Sequence, residues 1–162
     1  MRILAAIGAL AVAACSGEAP PPPAPAVPAR LPAGEWEVTS TVTDLRSTDK
    51  TTPATAAKIG DRATARACVA ADGVPPPELF AAPGNTCTAR EPYVRNGRMT
   101  VQLECTRPGS GKVMAEVSGT FTADTLKGNV GTTSFFAGSG DYHLVQDVTG
   151  RRVGECPAAE RS

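Results

Sequence analysis

Cysteine is the side chain with the widest choice of chemistry in this sequence, and there are five: Cys15, Cys68, Cys87, Cys105 and Cys156. A thiol can be acylated, oxidised to a disulfide, bound to a metal or used as a nucleophile, and spacing and context decide among these. No two of the last four stand at the two-to-four-residue interval by which a chain grips zinc, and the single histidine, His143, offers no ligand pair. No metal or cofactor is expected. Nucleophilic catalysis requires a base beside the nucleophile, yet the chain contains no G-x-S-x-G elbow, phosphate-cradling glycine loop or H-E-x-x-H motif. His143 lies between Tyr142 and Leu144 on the opposite face of an alternating run, and reads as a partly exposed strand residue. Glu35 and Glu37 share a strand face as paired acids do, but glutamates alternating on the outside of a strand serve to solvate it. Asp141 and Asp147 read as turn and surface residues, so no catalytic residue is assigned.

Compartment sets the redox state against which the thiols must be read. Residues 1–16, MRILAAIGALAVAACS, place one basic residue, Arg2, before an apolar run over 3–14. That is the layout of an export signal, too short to cross a bilayer as a mature helix. The stretch Val12-Ala13-Ala14-Cys15 resembles the lipobox of bacterial lipoproteins. The resemblance implies that residues 1–14 are a signal peptide that is removed, and that the Cys15 thiol is acylated at the new N-terminus. It also implies a location: Ser16 is not the aspartate that commonly retains enterobacterial lipoproteins in the inner membrane. The expected place is the cell envelope, lipid-anchored at the outer membrane and facing the periplasm. Residues 15–33 then form a tether, because 18–32, EAPPPPAPAVPARLP, is dominated by proline and alanine. Proline holds such a stretch near the extended polyproline conformation, at about 3.1 Å per residue, and little in it has the bulk to pack.

In an exported chain the four remaining cysteines read as two disulfides. Three pairings are possible, and the hairpin signal Asn96-Gly97 selects one. Both of these residues tolerate the positive φ of a two-residue turn. A tight turn there leaves Cys87 one position out of register with Cys105, and a single bulge brings the two side by side. Cys87–Cys105 is the expected pair, which leaves Cys68 to Cys156. Such ties suit a chain with only seven aromatic residues and many alanines, glycines and threonines, whose core buries little area per residue.

The elements that position these residues are strands. Residues 34–42 put Trp36, Val38 and Val42 on one side and glutamates and threonines on the other. Met99, Val101, Leu103 and Cys105 alternate without a fault against polar neighbours. Pro92 cannot donate to a ladder, so residues 86–95 form an edge or bulged strand. Residues 112–122 and 125–133 continue the pattern, with glycines at 119, 128 and 131 marking bends or bulges. Residues 141–149 and 151–156 complete it. The stretches 48–58 and 73–83 read as loops, each with one helical turn, at 53–58 and 77–82. The fold class is all-β: an antiparallel meander of seven or eight strands, as a strongly curved sheet or a small calycin-like barrel, over 34–156 with a tail at 157–162.

Sixteen basic and sixteen acidic residues cancel, and the basic ones are scattered singly apart from Arg151-Arg152. No stripe follows a phosphate backbone, so a nucleic-acid partner is disfavoured. Gly34-x-Trp36 on the first strand, with Arg151-Arg152 on the last, resembles the calycin arrangement in which a tryptophan packs beneath an arginine. These three side chains, Trp36, Arg151 and Arg152, are the structural or binding candidates. Small inward residues, Ala115, Gly119, Gly128 and Thr132, leave room inside for a small ligand.

The first-strand G-x-W, the cysteines around a hairpin and the closing Gly150-Arg151-Arg152-Val153-Gly154-Glu155-Cys156 together resemble domain-of-unknown-function family 3617, small exported proteins of proteobacteria. The resemblance covers residues 32–156 and implies a β-rich domain with four paired cysteines, with no established activity to carry over. The lipid anchor and proline spacer depart from the family pattern. A second resemblance is to the lipid-anchored inhibitors of c-type lysozyme, which use a Ser-Gly-x-x-Tyr loop; Ser139-Gly140-Asp141-Tyr142 is one residue short of it. The leading expectation is a noncatalytic envelope lipoprotein that binds a small molecule or another envelope component. Inhibition of a lysozyme-like hydrolase comes second, and an enzyme, in which His143 would matter, third.

Overall fold

The computed structural model describes residues 26–107 and 111–157. The signal peptide, Cys15, most of the proline stretch and the end of the tail lie outside the described residues. Seven strands follow in chain order: β1 (Gly34–Ser47), β2 (Arg62–Val69), β3 (Thr86–Arg95), β4 (Arg98–Arg107), β5 (Gly111–Phe121), β6 (Thr125–Phe135) and β7 (Tyr142–Gly154). A single turn of 3-10 helix, Pro77–Leu79, interrupts the connection from β2 to β3.

All seven form one sheet in the order β2-β1-β7-β6-β5-β4-β3, antiparallel throughout. Strands β3 to β7 are a simple meander, and β1 returns beside β7. The ladder does not close, because β2 and β3 are its two edges. In a flat sheet seven strands wide those edges would lie about 29 Å apart. Here Val69 of β2 and Val94 of β3 belong to one core cluster with residues of every other strand. The sheet is therefore curled into a half-barrel. Leu79 and Phe80, buried beside the short helix, fill the gap between the edges.

The curl follows from local chemistry. On β4, Met99, Val101, Leu103 and Cys105 face inward without interruption, as their alternation requires. Asn96 and Gly97 take φ of 51° and 73°, the left-handed conformations of a two-residue hairpin turn. The register shift between Arg90 and Tyr93 is a bulge at Glu91 and Pro92, which sets Cys87 directly opposite Cys105. Strand β3 is thus both an edge and bulged, as its proline demands. Gly119 and Gly128 face each other across β5 and β6. A Cβ on Gly128 would stand 2.1 Å from the Ser118 carbonyl oxygen. These glycines bring two backbones together at a sharply coiled place in the sheet, and they do not open space inside it.

Three local expectations change. No helical turn forms at 53–58, because its amides are taken elsewhere: Ala54 N–H donates to the Gly140 carbonyl, Ala57 N–H to Thr55 Oγ1 and Lys58 N–H to Asp61 Oδ2. The closing pair of strands, 141–149 and 151–156, is one strand, β7, running through Gly150. The last part of the expected tether, 26–33, is packed against the domain. Asn96 and Gly97 donate their N–H groups to the carbonyls of Ala29 and Pro28, and Leu31 is 1% exposed. Proline-rich backbone leaves its carbonyls free, and a hairpin turn supplies the donors.

Candidate functional site

Two ends of the half-barrel differ in how they are filled. At one end Trp36, wholly buried, belongs to the main core cluster, and its indole N–H donates to the Pro32 carbonyl at 2.9 Å. This end is solid. At the other, a bulge in β1 between Val42 and Asp44 breaks the register with β7, and a separate small cluster forms from Val42, Tyr142 and Leu144 with Leu45, Ala57 and Phe136. Against this cluster, with Val42, Ala57, Tyr142 and Leu144 in its wall, lies a cavity of about 440 Å³.

Its wall draws on most of the fold: Val42 from β1, Arg62 and Ala63 from β2, Arg107 from β4, Thr132 from β6, and Tyr142, Leu144 and Gln146 from β7. The loops add Thr55, Ala56, Ala57, Asp61, Ala82 and Pro83. A recess of about 110 Å³, reaching Val38, Leu79 and Phe80, adjoins it through Ala63, Ala82, Pro83 and Gln146, which border both. Space is left because β2 presents Ala63 to the cavity and Ala63 and Ala65 to the recess, where larger side chains would fill them, and because β2 and β3 do not pair.

The loops that lead to Thr55 and Tyr142 in the lining are tied to each other by a strap of hydrogen bonds. Asp49 Oδ2 accepts from the N–H groups of Gly140 and Asp141, and its Oδ1 accepts from the Thr51 N–H and hydroxyl and from the Ser47 hydroxyl. Asp141 in turn accepts from Ser134 and the Phe136 N–H. The loop before β7 is thereby tied to the loop after β1. The Thr51 hydroxyl and N–H, followed by the Asp141 and Gly140 amides, hold the Asp49 carboxyl well below the ordinary carboxylate range. A lowered folded-state pKa stabilises the fold above the unfolded value near 4, and that contribution is lost as pH falls toward the folded value. Asp49→Asn is therefore expected to lower stability fully at neutral pH. Its difference from the parent, read by urea unfolding, is expected to narrow as pH drops below about 4.

The residues singled out in the sequence fall elsewhere. Cys68 is bonded to Cys156 and Cys87 to Cys105. Arg152 reaches over Gly34, donating from Nε to the Ala33 carbonyl at 2.8 Å and pairing with Glu155. A Cβ at position 34 would collide with that guanidinium. Arg151 points to the outer face, where Glu37 joins it to Arg66 across three strands. Hydrogen bonds first from Arg151 and then from Arg66 lower the Glu37 pKa. Trp36, Arg151 and Arg152 thus lie at the solid end, away from the cavity lining. Lys112, with Arg90, does the same for Glu104 on the far side of the sheet. Among the described residues the His143 ring has one hydrogen-bond partner, the Thr133 hydroxyl, at 3.1 Å. Of the small inward residues only Thr132 lines the cavity. The Gly140-Asp141-Tyr142 stretch turns inward, and Tyr142 is 5% exposed. Among the described residues no three of His, Cys, Asp and Glu converge as a metal site, and no helix is long and apolar enough to cross a membrane.

Fold and site together define a small disulfide-braced β-domain, a curled single sheet with an internal cavity at its open end. The chain belongs to the family described as Protein of unknown function (DUF3617), which matches residues 28–156. No curated protein and no solved structure matches it.

Proposed function

We propose that this is a noncatalytic binding domain of the cell envelope that holds one small molecule in the cavity at the open end of its half-barrel. The observation that carries the reading is the cavity itself. Its volume of about 440 Å³ lies within the range of small-ligand sites. Its lining joins apolar side chains, Val42, Ala57 and Leu144, to a few polar ones, the composition by which such sites combine affinity with orientation. The disulfides support an exported domain. Acylation at Cys15 anchors it to the membrane, and the proline stretch that follows spaces it from the lipid; the mass of the N-terminal peptide reads that anchor directly.

The test is a titration of the purified protein with phenylnaphthylamine, whose fluorescence rises in apolar surroundings. One saturable site is expected. Ala57→Trp, which fills the cavity from a loop and leaves the sheet intact, is expected to abolish it. Absence of saturable uptake by the parent protein, or uptake unchanged in Ala57→Trp, overturns the reading.

A further inference from the structure

Two of the cavity's polar side chains are donor-only cations, and this narrows the ligand. Arg62 and Arg107 both line it, and a guanidinium can only donate. Among the described residues neither forms an ion pair, whereas Arg66, Arg90, Arg151, Arg152 and Lys112 all do. The one carboxylate in the lining, Asp61, already accepts the Lys58 N–H at 2.8 Å. Gln146 uses its amide nitrogen on Ser40. Two hydroxyl-bearing residues, Thr132 at 8% exposure and Tyr142 at 5%, line the same space, and among the described residues neither hydroxyl has a hydrogen-bond partner. Among the described residues the one buried side-chain polar atom without a partner is Asn85 Oδ1, so these two hydroxyls open onto the cavity's solvent and can donate to or accept from an occupant. Two guanidiniums against one carboxylate give the lining a net positive charge, while Val42, Ala57 and Leu144 supply an apolar half.

We infer that the ligand is a single-chain amphiphile with an anionic head, a carboxylate or a phosphate monoester, whose tail lies on the apolar half and whose head meets Arg62 and Arg107. The inference rests on the reading of the cavity as a ligand site. A volume of about 440 Å³ takes one drug-sized molecule, not a two-chain lipid. Charge-assisted hydrogen bonds are the strong kind, and an exposed arginine contributes less than a buried one because water and salt screen it.

The experiment displaces bound phenylnaphthylamine with four compounds that share a ten-carbon tail: decanoate, decyl phosphate, decanol and decyltrimethylammonium. At low salt at least one anion is expected to displace the probe at roughly tenfold lower concentration than decanol, and the cation at higher concentration than either. Which anion leads distinguishes a carboxylic acid from a phosphate ester as the natural head. Arg107→Gln, and independently the more exposed Arg62→Gln, is expected to remove most of the anion's advantage and leave decanol unchanged. Equal displacement by decanol and both anions, with probe uptake intact, overturns the anionic head and leaves the cavity reading standing. Failure of the parent protein to take up the probe overturns both.

Discussion

Replacing Trp36 with alanine is expected to lower the free energy of unfolding by about 3–5 kcal/mol, the usual cost of truncating a fully buried tryptophan. That cost follows from where the ring lies. It fills the solid end of the half-barrel, with no exposed surface, as part of the main core. Its indole N–H also holds the Pro32 carbonyl, so the ring anchors the segment that leads into β1. The two roles separate experimentally. Trp36→Phe keeps most of the apolar volume but strands the Pro32 carbonyl, and is expected to cost about 1–3 kcal/mol. Urea unfolding followed by circular dichroism reads both variants. A cost below about 1 kcal/mol for Trp36→Ala would show that this end repacks without the ring, against its place in the core.

What the sequence disclosed and what it hid divide along side-chain bulk. Strand β4 was legible because Met99, Val101 and Leu103 contrast strongly with the polar residues between them. The Cys87–Cys105 pairing was legible because a turn signal, a proline and two cysteines jointly fix one register. Strand β2 was not, since its inward residues are Ala63, Ala65 and Ala67, whose methyl groups give alternation almost no amplitude. That same lack of bulk leaves the cavity open, so the feature that made the strand hard to see also makes the site. Leu31 was hidden for another reason. A single leucine in a proline-rich run has no periodicity, and it is brought into the core by long-range hydrogen bonds from the Asn96-Gly97 turn and the Trp36 indole. Arg107 could have been found: it continues the inward parity of β4 two residues beyond Cys105, and a charged residue on an inward position marks a mouth or a site. The tie between the two loops could not, because Asp49 and the 140–141 amides meet across more than ninety residues of chain.

An open half-barrel has a weakness that a closed barrel lacks, and the disulfides lie where it falls. Strands β2 and β3 each have one ladder neighbour, so each depends on fewer hydrogen bonds than the strands between them. Cys68 is on β2 and Cys87 on β3, so each covalent tie secures an edge. The ties differ in reach. Cys87–Cys105 closes 18 residues within a hairpin already paired, whereas Cys68–Cys156 closes 88 and joins β2 to the chain beyond β7, on the other side of β1. In the chain-entropy account the shorter loop contributes about 3 kcal/mol and the longer about 4.6. Replacing Cys68 and Cys156 together by alanine is therefore expected to be the more damaging change. It is also expected to raise the urea m-value more, because the unfolded chain expands further. Hydrogen exchange is expected to quicken across β2 in that variant, which loses its only covalent tie. In the variant lacking Cys87 and Cys105, β3 keeps its hairpin to β4 and loses protection only near its free end. A larger loss from removing the 18-residue loop, with m unchanged in both variants, would place the stabilisation in native packing around Cys105 and not in the unfolded chain.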